Sequence, residues 1–270
     1  MNAGKSLAPK SSEPQKQPQL QVGSAAYEKQ PGMIGSVLFK LLSRLYFLQD
    51  LLGRVVAGTT PILVHNLGKY LALKKAFYLT FLEQVDGDYL EFGVFTGSSM
   101  SCAMQCAATA VVSEPGKTGF FGFDSFAGFG DLSDEDKHPF FTNLNFKTSY
   151  SDVNRRLQKK ARKNQTVRLI EGFFSDTCDG HSPESYGIGR ARVILIDCDT
   201  LSGALSCLKF CSSVIQEGTV LILDDFFSYK GHQEKGVFGA FRQWNAVDGH
   251  LKFRQVASYG MGGVILIAHA

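Results

Sequence analysis

Five short apolar runs recur between residues 88 and 223, and each gives way to Gly or acidic residues at its C-terminal end. They are 88–93 "DYLEFG", 119–123 "GFFGF", 166–170 "TVRLI", 192–196 "RVILI" and 219–223 "TVLIL". Runs of this length, rich in β-branched and aromatic residues, read as strands. Helical periodicity fills the gaps at 97–112, 151–163, weakly at 183–188, and at 202–216. Strands that are apolar at nearly every position are covered on both faces, and strand–helix alternation produces a mostly parallel sheet. Two later runs, 251–257 and 263–268, are joined by "SYGMGG" and are expected to pair as an antiparallel hairpin. The expected fold is therefore α/β: a seven-stranded, mostly parallel sheet with the last strand antiparallel and helices on both faces. Ligands of such sheets bind beyond the carboxyl ends of the strands.

The first 87 residues read differently. Residues 1–30 are rich in Lys, Gln, Ser and Pro and poor in apolar side chains, so a disordered tail is expected. Residues 31–87 form an N-terminal helical extension ahead of the main domain at 88–270. Within it, 34–57 and about 62–85 carry helical apolar stripes. Lys40, Arg44, Asp50 and Arg54 argue against a membrane span, which leaves packing on the main domain or a homodimer surface through 34–85, with an interfacial membrane helix as the alternative. The tail lacks the apolar core of a signal peptide, so a soluble cytoplasmic protein is expected. A formal charge of +3 is too small to argue for nucleic acid. The six cysteines form no CxxC pattern and read as small core residues.

The strand ends carry the chemistry. The first ends in "EFGVFTGSS", where Gly93 and Gly97 allow a tight turn. The following helix offers free amides to an anionic group, with Ser98 and Ser99 adding hydroxyls; a turn built for packing alone is the alternative. The second ends at Asp124, placed as an acid that grips ribose hydroxyls. The third ends in "EGFFSDT", which reads equally as an adenine pocket or as an ordinary polar exit. A "GKT" at 116–118 is not a phosphate loop: it precedes a strand, and position 111 is Val where that motif needs Gly. Phe126, Phe129, Phe140 and Phe141 read equally as an acceptor lid or as loop core. His232 and the basic run 155–163 read as a surface histidine and a solvated helix face.

Four carboxylates, Asp197, Asp199, Asp224 and Asp225, follow the fourth and fifth strands, with no Lys or Arg inside either motif. Sequential strands are usually neighbours, so the four are expected to converge. Unpaired, they would raise one another's proton affinity, and a hard divalent cation such as Mg²⁺ would relieve that. Solvated strand-end acids and helix caps are the plainer alternative.

In order and spacing, "EFGVFTGSS", "GFDSFAGF", "LIEGFFSDT", "LIDCDTLSGALSCL" and "GTVLILDDF" resemble the signature of the macrocin O-methyltransferase family, over roughly 85–245. These enzymes use S-adenosylmethionine and Mg²⁺ to methylate sugar hydroxyls in natural-product biosynthesis. The resemblance implies a class I methyltransferase (Rossmann-like) sheet. It places Glu91, Gly93, Gly97, Ser98 and Ser99 around the methionine end of the donor, Asp124 on its ribose, and Phe174 and Ser175 beside its adenine. It implies Asp197, Asp224 and Asp225 as metal ligands and Asp199 as general base, with Asp197 sharing in catalysis. Two departures stand out. Where the family usually has "DLYxST", this chain has "DTLSGA", and its 126–150 segment is Phe-rich and acidic. The expected activity is Mg²⁺-dependent O-methylation of a small-molecule hydroxyl acceptor. A metal-dependent nucleotide-sugar transferase and a non-catalytic S-adenosylmethionine-binding module of the same fold are the alternatives.

Overall fold

A computed structural model describes Val37, Lys40 and residues 43–110, 118–141, 146–163, 165–248 and 250–270. The expected tail at 1–30 lies outside these residues. The chain divides into two compact units at Gly58/Thr59. In the first, helix α1 (Tyr46–Gly58) has no buried residue. No single helix among the described residues is long and apolar enough to cross a membrane.

The second unit opens with helix α2 (Pro61–Leu82) and continues as β1 (Asp88–Phe92), α3 (Ser98–Ala110), β2 (Gly119–Asp124), α4 (Tyr150–Lys160) and β3 (Thr166–Glu171). There follow a one-turn helix α5 (Phe174–Thr177), β4 (Ala191–Ile196), α6 (Leu201–Cys211), β5 (Ile215–Leu223), α7 (Gly236–Val247), β6 (Lys252–Tyr259) and β7 (Gly263–His269). The strand order is β3-β2-β1-β4-β5-β7-β6, with β7 antiparallel to both its neighbours. Helix α2, placed by its sequence in an extension, thus lies in the same compact unit as the sheet.

Side-chain alternation explains why the strands are apolar throughout. On β4, Ile194 and Ile196 join one core with Leu221, Leu223 and the α6 and α7 side chains, while Val193 and Leu195 join the other with α2 and α3. Several elements differ from expectation: the one-turn α5 was not foreseen, and the weak helix expected at 183–188 is a 3₁₀ turn at Pro183–Tyr186. Helix α6 stops at Cys211 because the chain turns into a longer β5 that starts at Ile215. Helix α7 was not expected: Gly236 and Gly239 lower its propensity, and packing of Val237, Ala240 and Trp244 stabilises it instead.

Crossovers leave β1 towards β2 on one side and β4 lies on the other, so the switch point opens between β1 and β4. Backbone bonds continue just past the strand ends: Asp197 N donates to Phe92 O (2.8 Å) and Asp224 N to Ile196 O (2.9 Å). Gly93, Asp197 and Asp224 therefore stand side by side on one rim.

Candidate active site

A cavity of about 970 Å³ opens at this rim. From β1 and β2 it is lined by Gly93, Phe95 and Asp124, and after β3 by Gly172, Phe173, Phe174 and Ser175. Asp197, Asp199, Asp224 and Asp225 complete the wall, so all four acids converge on one space.

The turn after β1 is set by Gly93, at φ 93°. A Cβ there would lie 1.8 Å from the carbonyl oxygen of Asp197, so only glycine lets β1 and β4 approach this closely. Asp124 ties the two exit loops together. Its Oδ2 accepts from Phe95 N (2.7 Å) and its Oδ1 from Phe126 N (2.6 Å), while the carboxylate still faces the cavity. Burial pushes its pKa up, and these amide bonds oppose the rise.

Four residues expected around the donor do not reach the cavity wall. Glu91 is fully buried and accepts from Tyr89 Oη (2.5 Å) and Ser99 Oγ (2.6 Å), fixing the start of α3 from below. Gly97 packs towards Val153 and Leu157, and Ser98 is exposed. Burial raises the Glu91 pKa from 4.5 to about 7. The folded protein therefore holds this proton more tightly than the unfolded chain does. The resulting stability is full below about pH 4.5 and is lost as pH rises through about 7, a change of about 3 kcal/mol. Glu91→Gln is expected to remove that component, read as a smaller difference in urea midpoint between pH 5 and pH 8.

Of the four phenylalanines, Phe126 is buried against Tyr150, whereas Phe129, Phe140 and Phe141 line the cavity. Their loop is pinned by Asp136, which has no counterpart in the sequence reading. Its carboxylate accepts from Leu201 N (2.8 Å), Ser202 N (3.3 Å) and Ser202 Oγ (2.6 Å), capping α6 from outside. Asp136→Ala is expected to cost about 1–2 kcal/mol in unfolding free energy, by analogy with lost N-caps. His232 and the basic run 155–163 are absent from the cavity lining.

The acids do not all face the same way. One oxygen from each of Asp197, Asp199 and Asp225 lies within 4.8 Å of the others, a set of hard oxygen donors suited to Mg²⁺ or a similar cation. Asp224, which also lines the cavity, has both oxygens engaged by other side chains. Its Oδ2 meets Lys69 Nζ at 2.6 Å and His65 Nε2 at 2.9 Å, and its Oδ1 accepts from Tyr259 Oη at 2.8 Å. Lys69 Nζ also bonds Asp197 Oδ2 at 2.6 Å. No cation stands inside the acidic motifs, but α2 supplies one from 128 residues away. Burial would push Asp224 up, yet Lys69 and His65 outweigh it and hold its carboxyl well below the usual range. Burial, then Asp225, pushes Asp199 well above it. Asp199 and Asp225 have φ values of 63° and 48°, a left-handed backbone unusual outside glycine. Such strain clusters where side chains must be aimed.

Among solved structures the chain is similar to the O-methyltransferase NovP, at 18% identity over 75% of this chain and 80% of that one, with a TM-score of 0.59. It is also similar to CalS11, a calicheamicin methyltransferase, at 20% identity over 80% and 85%, again with a TM-score of 0.59. At such identities these likenesses show the fold. A search of curated protein sequences finds no match. Residues 65–256, well over half of the chain, match the Macrocin-O-methyltransferase (TylF) model. The chain therefore belongs to this family of S-adenosylmethionine-dependent O-methyltransferases.

Proposed function

We propose that the protein transfers a methyl group from S-adenosylmethionine to a hydroxyl of a sugar or other natural-product acceptor, with a divalent cation at the acidic rim. The observation that carries this reading is the convergence of Asp197, Asp199 and Asp225 on the cavity that the Gly93 turn and Asp124 open. At about 970 Å³ the cavity is at the upper end of single-ligand sites, which suits a donor and an acceptor together.

Gly93, Phe95, Asp124 and the 172–175 turn hold the donor, with Asp124 towards its ribose and Phe174 and Ser175 beside the adenine. Glu91 and Ser99 fix the helix behind the turn rather than touch the ligand. Asp197, Asp199 and Asp225 would hold Mg²⁺, which would lower the pKa of an acceptor hydroxyl. Asp199 receives the hydroxyl proton on the carboxylate oxygen it does not give to the ion. Phe129, Phe140 and Phe141 cover the acceptor and exclude water. Since the donor is already an activated sulfonium, alignment carries most of the remaining rate enhancement.

Incubation with S-adenosylmethionine and a panel of sugar and phenolic hydroxyl compounds tests this directly. Methyl transfer to at least one class is expected, lost in EDTA and restored by Mg²⁺. Transfer undiminished by EDTA would remove the metal from the scheme. The homodimer expected through 34–85 is also retained as a proposal, supported by exposed Leu63, Leu67, Leu71 and Leu82 along α2. Light scattering at twice the monomer mass is the expected result.

A further inference from the structure

We propose that the acceptor is an aromatic hydroxyl compound without negative charge, and that nucleotide-linked sugars and other anionic acceptors are turned away. The inference rests on the methyl-transfer reading above and narrows its acceptor class. Two properties of the cavity wall support it. The first is a run of aromatic rings. Phe141 lies 6.1 Å, between ring centroids, from Tyr229 after β5, and packs on Phe140 (5.8 Å) and Phe129 (6.3 Å). Phe146 continues the run, 5.1 Å from Phe129 and 6.0 Å from Phe95 in the turn after β1. All five phenylalanines line the cavity. Phe140 is 59% exposed, and so are Ile62 of α2 at 65% and Met261 of the β6–β7 turn at 60%. Three separate parts of the chain therefore present apolar side chains to water at one cavity, and a flat apolar ring would cover them. A sugar laid on the same wall would give up hydrogen bonds to water without replacing them.

The second property is charge. Asp124, Asp131 and Asp179 line the cavity together with the four rim acids. Among the described residues lining it, the only Lys or Arg is Lys69, whose ammonium lies 2.6 Å from both the Asp197 and the Asp224 carboxylates. Away from the rim, a phosphate or carboxylate on the acceptor would face like charge with no side-chain cation to pair with. An amine would meet the opposite situation, with acids and ring faces both attracting it. The Phe-rich, acidic composition of 126–150 thus has one explanation in the ligand that this segment faces.

The test is calorimetric titration of the full-length protein, saturated with S-adenosylhomocysteine and MgCl₂, with acceptors of similar size and different charge. The probes are 4-ethylcatechol (neutral), dopamine (cationic), 3,4-dihydroxyphenylacetate (anionic), methyl α-glucoside (a neutral sugar) and UDP-glucose. 4-Ethylcatechol and dopamine are expected to bind at least about tenfold more tightly than each of the other three. Any of those three binding as tightly as 4-ethylcatechol, or no saturable heat from either expected ligand, would overturn the inference. Phe140→Ala, at an exposed position that the fold does not depend on, should weaken 4-ethylcatechol at least about fivefold and leave S-adenosylhomocysteine within about twofold of wild type. Unchanged 4-ethylcatechol affinity in this variant would also overturn it. Failure of the underlying reading looks different. In that case S-adenosylhomocysteine itself gives no saturable heat with wild type, and both proposals fall. Saturable S-adenosylhomocysteine binding with a different order of acceptors removes the acceptor class alone.

Discussion

Gly93→Ala is expected to lower the melting temperature by about 10 °C and to abolish donor binding. Two penalties add at this position. The backbone sits at φ 93°, where a residue with a Cβ is strained whatever the space around it. The new methyl would also lie 1.8 Å from the Asp197 carbonyl oxygen, which is backbone and has no rotamer to move into. The β1 and β4 ends would have to separate, breaking the Asp197 N to Phe92 O bond at the switch point. A combined cost of about 4 kcal/mol puts the substitution among the exceptional ones, and a unit of this size loses about 2–4 °C per kcal/mol. Gly189→Ala is the matched control: nothing lies within 4 Å of its added Cβ, so a change within about 1 kcal/mol is expected. Similar melting temperatures for the two variants would show that the rim does not need glycine at 93.

Asp199→Asn is expected to cut turnover by about 10²–10⁴-fold while S-adenosylmethionine binding stays within a few-fold of wild type. The substitution suits the question. Asn tolerates the left-handed backbone that Asp199 adopts at φ 63°, so the chain should fold unchanged. It keeps the side chain's size and one acceptor oxygen but removes the basic carboxylate. Assay at saturating Mg²⁺ separates the lost base from the weaker ion binding that the same substitution causes. Turnover above about a tenth of wild type would show that another group takes the hydroxyl proton.

Most of the sheet was legible from the sequence because its strands are apolar on both faces and stop at glycine or acid. Runs such as "RVILI" and "TVRLI" lie within a residue of their observed limits, whereas "TVLIL" misses the first four residues of β5, where Gly218 interrupts the apolar pattern. The convergence of the four acids followed from the adjacency of β4 and β5. What they face did not. Asp224 is neutralised by residues 155 and more positions earlier in the chain, a pairing that no local spacing encodes. One trace of it was present. On α2, Lys69 occupies the same stripe as Ala72, Leu73, Ala76, Phe77 and Thr80, and a lysine on the buried face of an amphipathic helix requires an acidic partner. The position of Glu91 was hidden for the opposite reason. Its motif placed it at the end of β1, but inward strand alternation turns it beneath the turn rather than towards the cavity.

The central claim is that the β4 and β5 ends form a divalent-cation site beside the methyl donor. A crystal grown with S-adenosylhomocysteine and MnCl₂, measured at the manganese edge, tests it most directly. The expected result is a single strong anomalous peak within ligand distance of Asp197, Asp199 and Asp225. An ordered product molecule in the crevice with no anomalous signal at the acids would contradict it.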